Sequence, residues 1–352
     1  MQNEKSEHPA LFIAGNFLSA KTGTRGMCED LTIQLHKKGF LIFTASDKPN
    51  RIARMADLLW TAWRNRKRYQ LAIVEVYSGL AFEWAWILSK FLRFLKKPFI
   101  AVLHGGKLAE FYRTKPKKVS ELLNNAALIC SPSLMLQSAF QKEGFQVEYL
   151  PNGIDLSLYP FRKRETIEPN IVWLRAIHEI YNPLMAIQAF KLVLEAYPEA
   201  KLWMIGPDKA DGTMPKLVAE IESLLRPNNI QIVGAVAKAD VPEWLNKADI
   251  FINTTNYESF GVSVVEAIAC GLPVVSTNAG ELPLLWKDGE EILLVPKNDA
   301  QGMAKKIVEL LNGEVEAEPL VVRAKEKAEQ FDWEKILPQW VNLIYKVLGR
   351  GN

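Results

Sequence analysis

The stretch that decides the fold runs from Ile250 to Val275 and has the sequence IFINTTNYESFGVSVVEAIACGLPVV. A short apolar run opens it, a polar loop follows, and from about Gly261 apolar residues recur at helical spacing until Gly271, a natural C-terminal cap. A second apolar run begins at Pro273. This order predicts a strand, a loop, a helix and a strand of a parallel α/β sheet, which binds ligands at the carboxyl ends of its strands.

The same alternation of apolar runs and amphipathic segments extends over the chain on both sides of this stretch. We predict a first series of strands at residues 11–14, 40–45, 71–75, 99–103, 127–130 and 147–150. We predict a second series at residues 171–174, 201–205, 230–233, 250–253, 273–276 and 292–295. The rhythm indicates two Rossmann-like domains of α/β class, each with a parallel sheet.

A polar stretch with several Pro residues, 151–169, separates the two series and lacks the periodicity of a helix or a strand. We therefore expect a first domain over residues 1–155 and a second over residues 156–330, each long enough to bury its own core. In the remaining segment, residues 331–352, apolar side chains recur at helical spacing. We expect this segment to form a terminal helix that packs back towards the first domain.

The composition is that of an ordinary globular protein, with 49% hydrophobic and 24% charged residues among 352. The three cysteines, Cys28, Cys130 and Cys270, follow no metal-ligand spacing, so we expect neither a disulfide framework nor a zinc site. The first nine residues carry Glu4 and Glu7 where a secretory leader would carry positive charge, and the most apolar stretch, 71–95, contains four charged residues. We therefore expect a cytoplasmic protein without a secretory leader or a transmembrane span.

The net charge of +3 conceals an asymmetry, because residues 1–155 hold 22 Lys and Arg against 13 Asp and Glu, and the rest holds 21 against 27. A basic domain attracts nucleic acid, anionic lipid or phosphorylated substrates, and charge alone does not choose among them. The basic run 64–68 follows Trp60 and Trp63, a mixture that suits peripheral contact with the inner membrane face, although such runs are more often solvated. No nucleic-acid module is recognisable, so we expect no nucleic-acid partner.

Two carboxylates in the opening stretch need an explanation. Glu258 lies in the loop, and Glu266 lies about a turn and a half into an otherwise apolar helix. A glutamate buried there would need partners, and a pair of sugar hydroxyls is a suitable one. Taken singly, Glu258 is better explained as a charge at a helix N-terminus and Glu266 as a solvated helix residue. Ser263, in the first turn, offers a hydroxyl donor to a ligand.

The two glutamates, separated by seven residues within a Ser-Phe-Gly and Glu-Ala-x-Ala-x-Gly-x-Pro-Val context, resemble the donor site of the retaining family 4 glycosyltransferases of GT-B fold. The resemblance implies two Rossmann-like domains facing across a cleft, with the acceptor on the domain of residues 1–155 and the nucleotide-sugar donor on the domain of residues 156–330. It implies that Glu258 contacts the transferred sugar and that Glu266 holds the donor ribose. The donor-binding residues between them would be Ser259, Phe260, Gly261 and Val262, with the backbone around the last three on the pyrophosphate.

Three further positions resemble that family. His104 follows the run 99–103, and the resemblance implies that it faces the reaction centre, whereas the residues alone explain it equally well as a structural cap of a strand. Arg175 resembles the arginine that neutralises the donor diphosphate, a task suited to a guanidinium. Gly206 lies at a strand end before a donor-facing loop. The family's usual lysine is replaced by Ile180, and Lys209, Lys107 or Arg25 are the candidates to compensate for it.

The loop at residues 19–26 resembles the family's glycine-containing loop near donor and acceptor, which would assign Gly23 and Arg25 to the site. It lacks the usual adjacent glycine pair, and a surface turn explains it almost equally well. It also lacks the glycine spacing of a nicotinamide site, which argues against a dehydrogenase.

The resemblance implies a retaining hexosyltransferase that moves a sugar from a nucleotide-diphosphate donor to a glycan, lipid-linked or small-molecule acceptor. No Asp-x-Asp triplet occurs in the sequence, so we expect a metal-independent reaction with no cofactor besides the donor substrate. Glu258 would orient the sugar, and the departing phosphate would help to deprotonate the acceptor. The alternative, motivated by Ile180, is a catalytically weakened relative that binds a nucleotide-sugar or a partner protein.

Overall fold

The computed structural model describes residues 8–19 and 26–349. The chain forms two compact units: Met1–Gly153 together with Phe331–Asn352, and Ile154–Gln330. No helix within the described residues is both long enough and apolar enough to cross a membrane.

The first unit is built on a parallel sheet with the strand order β2-β1-β3-β4-β5-β6. Its strands are β1 Leu11–Ala14, β2 Ile42–Ala45, β3 Leu71–Val76, β4 Phe99–Leu103, β5 Leu128–Ser131 and β6 Glu148–Tyr149. Its helices include α1 Met27–Lys37, α2 Arg51–Arg64, α3 Leu80–Phe94, α4 Leu108–Thr114, α5 Pro116–Asn125 and α6 Leu134–Lys142. β2 pairs with one edge of β1 and β3 pairs with the other edge, so the strand order reverses between β1 and β3.

The second unit repeats this plan with the strand order β12-β11-β10-β7-β8-β9, again all parallel. Its strands are β7 Asn170–Leu174, β8 Lys201–Ile205, β9 Ile230–Gly234, β10 Ile250–Asn253, β11 Val274–Thr277 and β12 Leu293–Val295. Its helices are α7 Pro183–Ala196, α8 Thr213–Glu222, α9 Val241–Lys247, α10 Val262–Ala269, α11 Leu282–Leu285, α12 Ala300–Leu311 and α13 Ala317–Ala328. Here the order reverses between β7 and β10.

The terminal helix α14, Trp333–Val347, belongs to the first unit. Trp333, Ile336 and Trp340 pack in one buried cluster with Leu11 and Ile73 of the sheet. The helix begins at Trp333 rather than at residue 331, because the side chain of Asp332 accepts a hydrogen bond from the backbone N–H of Glu334 and caps it.

The twelve predicted strands are confirmed, with ends displaced by at most two residues. Their apolar runs are nearly continuous because parallel strands covered by helices are buried on both faces. The helix predicted from about Gly261 is α10, which ends before Gly271 as its C-terminal cap predicts.

Candidate functional site

The candidate site lies in the second unit, where the strand order reverses. Arg175 is the first residue after β7, and its backbone N–H donates to the carbonyl of Ile205 at 2.9 Å. Gly206 follows β8 with a φ of +143°, and a Cβ at this position would collide with the carbonyl of Arg175. Glycine is therefore required where these two strand ends converge. Both Arg175 and Gly206, selected from the sequence, lie at this edge of the sheet.

Arg175 and Glu258 form a buried ion pair. The side chain of Glu258 is held from its other side, because its Oε1 accepts hydrogen bonds from the backbone N–H groups of Ser259 at 3.1 Å and Phe260 at 3.3 Å. Burial lowers the pKa of Arg175, while the charges of Tyr181 and Glu266 oppose this shift. Glu266 therefore lies near enough to Arg175 to interact with it electrostatically, in addition to the ion pair that Glu258 forms.

The loop that carries Glu258 is fixed by the segment that follows β11. Gly280 has a φ of +59°, and a Cβ on it would collide with the backbone carbonyl of Glu258. That carbonyl accepts a hydrogen bond from the N–H of Glu281 at 3.0 Å. The hydroxyl of Thr277 donates to the carbonyl of Thr255 at 2.6 Å. Contacts with the segment after β11 therefore hold the loop in place.

The loop ends at Gly261, and α10 begins at Val262. The first N–H groups of a helix lack intrahelical acceptors and carry partial positive charge, which makes this position suitable for a phosphate. The hydroxyl of Ser263 is buried and has no hydrogen-bond partner among the described residues. Phe260 is buried and anchors the loop beside these donors. The arrangement offers backbone and hydroxyl donors to an anion.

Glu266 is 2% exposed, so its interpretation as a solvated helix residue is wrong. Its Oε1 accepts a hydrogen bond from the hydroxyl of Tyr159 at 2.9 Å and forms an ion pair with Lys238. The sequence analysis missed both partners. Tyr159 lies in the polar stretch between the strand series, and Lys238 lies in a short turn after β9, so neither position carries a sequence pattern.

His104 lies in the first unit directly after β4, and its backbone N–H donates to the carbonyl of Val76 at 2.9 Å. Its ring stacks on Tyr77 at 5.1 Å, and its Nε2 lies 3.5 Å from Oε1 of Glu75. Burial lowers the pKa of His104, and the carboxylate of Glu75 opposes this shift. The sequence analysis missed Glu75 and Tyr77, although a carboxylate at the carboxyl end of a predicted strand was a usable signal.

The remaining sequence candidates are dispersed. Gly23 and Arg25 lie outside the described residues. Lys107 and Lys209 are exposed on separate units. The carbonyl of Ile180 accepts a hydrogen bond from the N–H of Asn256 at 2.8 Å, so this residue supports the Glu258 loop through its backbone.

No group of three or more His, Cys, Asp or Glu side chains within residues 8–19 and 26–349 is arranged to hold a metal ion. The three cysteines are buried and free.

The family-model match falls within the second unit. Residues 168–313 match the family model of group 1 glycosyl transferases. The chain is 28% identical over 230 residues to N-acetyl-alpha-D-glucosaminyl L-malate synthase of Bacillus anthracis, covering 64% of this chain and 58% of that protein. It is 32% identical over 137 residues to an uncharacterised glycosyltransferase of Methanocaldococcus jannaschii, covering 38% and 39%. These matches span less than two thirds of either relative.

Solved structures share the architecture over nearly the whole chain. Anabaena HepE in complex with UDP superposes with a TM-score of 0.75 at 18% identity, covering 96% of this chain and 100% of HepE. Sucrose-phosphate synthase from Thermosynechococcus elongatus superposes with a TM-score of 0.78 at 16% identity, covering 97% and 100%. The two parallel sheets and their structural neighbours show that the chain has the GT-B fold, and residues 168–313 of the second unit are similar to the group 1 glycosyl transferases.

Proposed function

We propose that this protein is a retaining hexosyltransferase that transfers a sugar from a nucleoside diphosphate to an acceptor hydroxyl without a metal ion. The observation that carries the proposal is the buried pair of Arg175 and Glu258 beside the N-terminus of α10, at the reversal of the second sheet. This edge is where open α/β sheets bind nucleotides. Anabaena HepE, which has the same fold, has been crystallised with UDP and with UDP-glucose, which supports a nucleotide-sugar as the donor.

Different residues would contact the three parts of the donor. The diphosphate binds the first N–H groups of α10, which have no intrahelical acceptors, and the hydroxyl of Ser263, which has no hydrogen-bond partner among the described residues. The ribose binds Glu266, whose two described contacts both involve Oε1. The transferred sugar binds Glu258, with Gly206 leaving room at the neighbouring strand end.

The charge balance of the site explains how it would assist departure of the diphosphate. Arg175 and Lys238 offset Glu258 and Glu266, so these four side chains together carry no net charge at neutral pH. The negative charge that develops on the leaving oxygen must then be stabilised by oriented N–H donors and by Arg175 at short range. Glu258 orients the sugar and positions the guanidinium instead of forming a covalent bond.

In the proposed reaction the bond from the anomeric carbon to the diphosphate oxygen breaks, and the bond to the acceptor oxygen forms on the same face of the sugar. The acceptor proton passes to the departing phosphate oxygen. His104, which burial holds neutral, offers one ring nitrogen as a donor and one as an acceptor for a hydroxyl group.

Turnover tests this proposal. UDP-, GDP- and ADP-sugars are incubated with the protein and a mixed acceptor extract in EDTA, and transfer is followed by nucleotide release and by NMR of the anomeric proton. We expect one donor to react with retention. Glu258→Gln should lower kcat about 100-fold or more, the usual loss for a group acting in the transition state, whereas Glu243→Gln, an exposed residue on α9, should not.

Binding of a donor without turnover of any acceptor, or inversion of the anomeric centre, would contradict the proposal. The first outcome would instead favour a nucleotide-sugar-binding relative with weakened catalysis. Circular dichroism of each variant excludes loss of folding as the cause.

We further propose that the first unit contacts an anionic membrane surface, with a glycan or a lipid-linked molecule as acceptor. Trp60 and Trp63 are exposed on α2 and stack at 5.3 Å, and Arg66 lies 4.4 Å above the ring of Trp63. Phe94, at the end of α3, is 77% exposed. Exposed aromatic rings beside arginines suit the boundary between headgroups and acyl chains.

A further inference from the structure

A pocket of about 450 Å³ lies in the first unit, at the carboxyl ends of β1 and β3. These are the two strands between which the order of the first sheet reverses. The pocket therefore occupies the position in this sheet that the Arg175 and Glu258 pair occupies in the second. A crevice at the reversal of an open α/β sheet is the expected place for a ligand.

One wall of the pocket holds a buried arginine. Arg54 on α2 is 7% exposed, and its Nε donates to the carbonyl of Lys48 at 2.9 Å. Its Nη1 donates to Oδ1 of Asn16 at 2.9 Å, and the guanidinium lies 4.9 Å from the centre of the Trp84 ring. These hydrogen bonds use two of the five N–H donors of a guanidinium. Its contacts within the described part of the chain include no carboxylate at ion-pair distance.

A buried cation without an anionic partner is unfavourable, because its hydration is lost and no opposite charge replaces it. The carbonyl, the amide oxygen and the aromatic ring offset part of this cost. A ligand can offset the remaining cost, because an anion that enters the pocket can accept hydrogen bonds from the remaining guanidinium N–H groups.

The other walls define the rest of the ligand. Leu58, Ala81, Trp84 and Leu88 on α2 and α3 provide an apolar surface. Glu75 and Tyr77 also line the pocket, and Oε2 of Glu75 accepts a hydrogen bond at 3.4 Å from the backbone N–H of Asn16, the residue that Arg54 contacts. Glu75 is also the carboxylate that lies 3.5 Å from His104. The pocket thus offers a cation, an apolar wall and a carboxylate that accepts hydrogen bonds from hydroxyl groups.

We propose that this pocket binds the acceptor and that the acceptor is an amphipathic anion, whose carboxylate or phosphate contacts Arg54 and whose apolar portion packs against Leu58, Trp84 and Leu88. The role as acceptor rests on the proposed transferase function, whereas the binding itself does not require it. A hydroxyl of the same molecule would lie towards Glu75 and His104.

Calorimetric titration of the full chain tests this proposal with octyl phosphate, octanoate, octan-1-ol and inorganic phosphate, each below its aggregation concentration. We expect at least one amphipathic anion to bind ten times more tightly than both octanol and inorganic phosphate, and the comparison of the two anions separates a phosphate source from a carboxylate source. Arg54→Gln should lower this affinity at least tenfold, and Arg51→Gln, exposed on the same helix, should not. Equal binding of octanol, or unchanged affinity in Arg54→Gln, would overturn the proposal.

A second variant guards against misfolding of Arg54→Gln. Ala81→Leu leaves the guanidinium intact and fills the pocket, so it should abolish binding of the octyl anion without changing the melting temperature by more than a few degrees. Persistent binding in Ala81→Leu would place the ligand elsewhere and refute the assignment. Nucleotide titration of the wild type and of Arg54→Gln separates the two proposals. If no nucleotide binds even the wild type, the transferase function is contradicted, while Arg54-dependent binding of the anion still stands.

Discussion

At the scale of single residues, burial decides which of the candidate side chains are held in one charge state. His104 lies beside Glu75, yet burial lowers its pKa, so the neutral ring dominates at neutral pH. A neutral imidazole can donate and accept a hydrogen bond at once, which suits a residue that positions a hydroxyl group.

The lowered pKa of His104 predicts a pH dependence of stability. The unfolded chain binds a proton at this residue below about pH 6.5, and the folded chain binds it less readily. The stabilisation is therefore present above pH 6.5 and is lost as the pH falls. The equilibrium constant for folding decreases by at most about tenfold for each pH unit. Urea unfolding at pH 7.5 and 5.5 should show a smaller loss for His104→Gln than for the wild type. Equal losses would show that His104 is protonated when folded.

Tyr159, Lys238 and Ile180 show where prediction from the sequence reached its limit. Glu258 and Glu266 stand out in the sequence because carboxylates interrupt an apolar segment. The ion pair that joins Glu258 to Arg175 connects positions 83 residues apart, and no local pattern encodes it. Glu266 meets Tyr159 and Lys238 because the ends of the linker and of β9 converge on α10, which depends on tertiary packing.

At the scale of elements, the strands and helices were predictable and the loops that join them at the site were not. Buried parallel strands have apolar runs that a single sequence displays, and α10 ends at a glycine. The conformation of the Glu258 loop depends instead on its neighbour after β11, through the approach of Gly280 to the carbonyl of Glu258. The only signal of such a contact in the sequence is an isolated glycine.

Substitution of Gly280 tests whether that contact positions the loop. Gly280→Ala introduces both a strained φ and a collision with backbone, so it should cost about 2 to 4 kcal/mol of unfolding free energy. Gly289→Ala is the matched control, because its φ of +72° is similarly strained but no atom lies within 4 Å of the added Cβ. It should cost about 1 to 2 kcal/mol. Equal costs in denaturant titrations would mean that the loop moves freely away from Gly280.

At the scale of the whole molecule, the charge of the two units differs in sign. The basic first 155 residues carry the exposed rings of Trp60, Trp63 and Phe94, whereas the acidic remainder carries the candidate donor site. This division agrees with the two proposals above, which give the membrane contact to the first unit and nucleotide binding to the second. The binding energy for a membrane would come from aromatic burial and from attraction to anionic lipid.

Vesicle sedimentation tests the membrane contact. The protein should sediment with vesicles that contain phosphatidylserine at low salt and should dissociate as salt is raised, because screening weakens surface attraction. A variant with Trp60→Ser and Phe94→Ser should bind several-fold more weakly, and Val322→Ser, an exposed apolar residue of the second unit, should not. Absence of sedimentation of the wild type at low salt would refute the contact.

The central claim, a nucleotide-sugar site at the N-terminus of α10, is tested most directly by titrating UDP, GDP and ADP into the wild type and into Ser263→Ala. The hydroxyl of Ser263 has no partner among the described residues, so its removal should leave the free protein's stability nearly unchanged. We predict one nucleotide bound per chain and an affinity about five- to tenfold lower in Ser263→Ala, the loss of one hydrogen bond. Ser223→Ala, exposed in the same unit, should bind as the wild type does. Failure of all three nucleotides to bind, or equal affinity in Ser263→Ala and the wild type, would contradict the account.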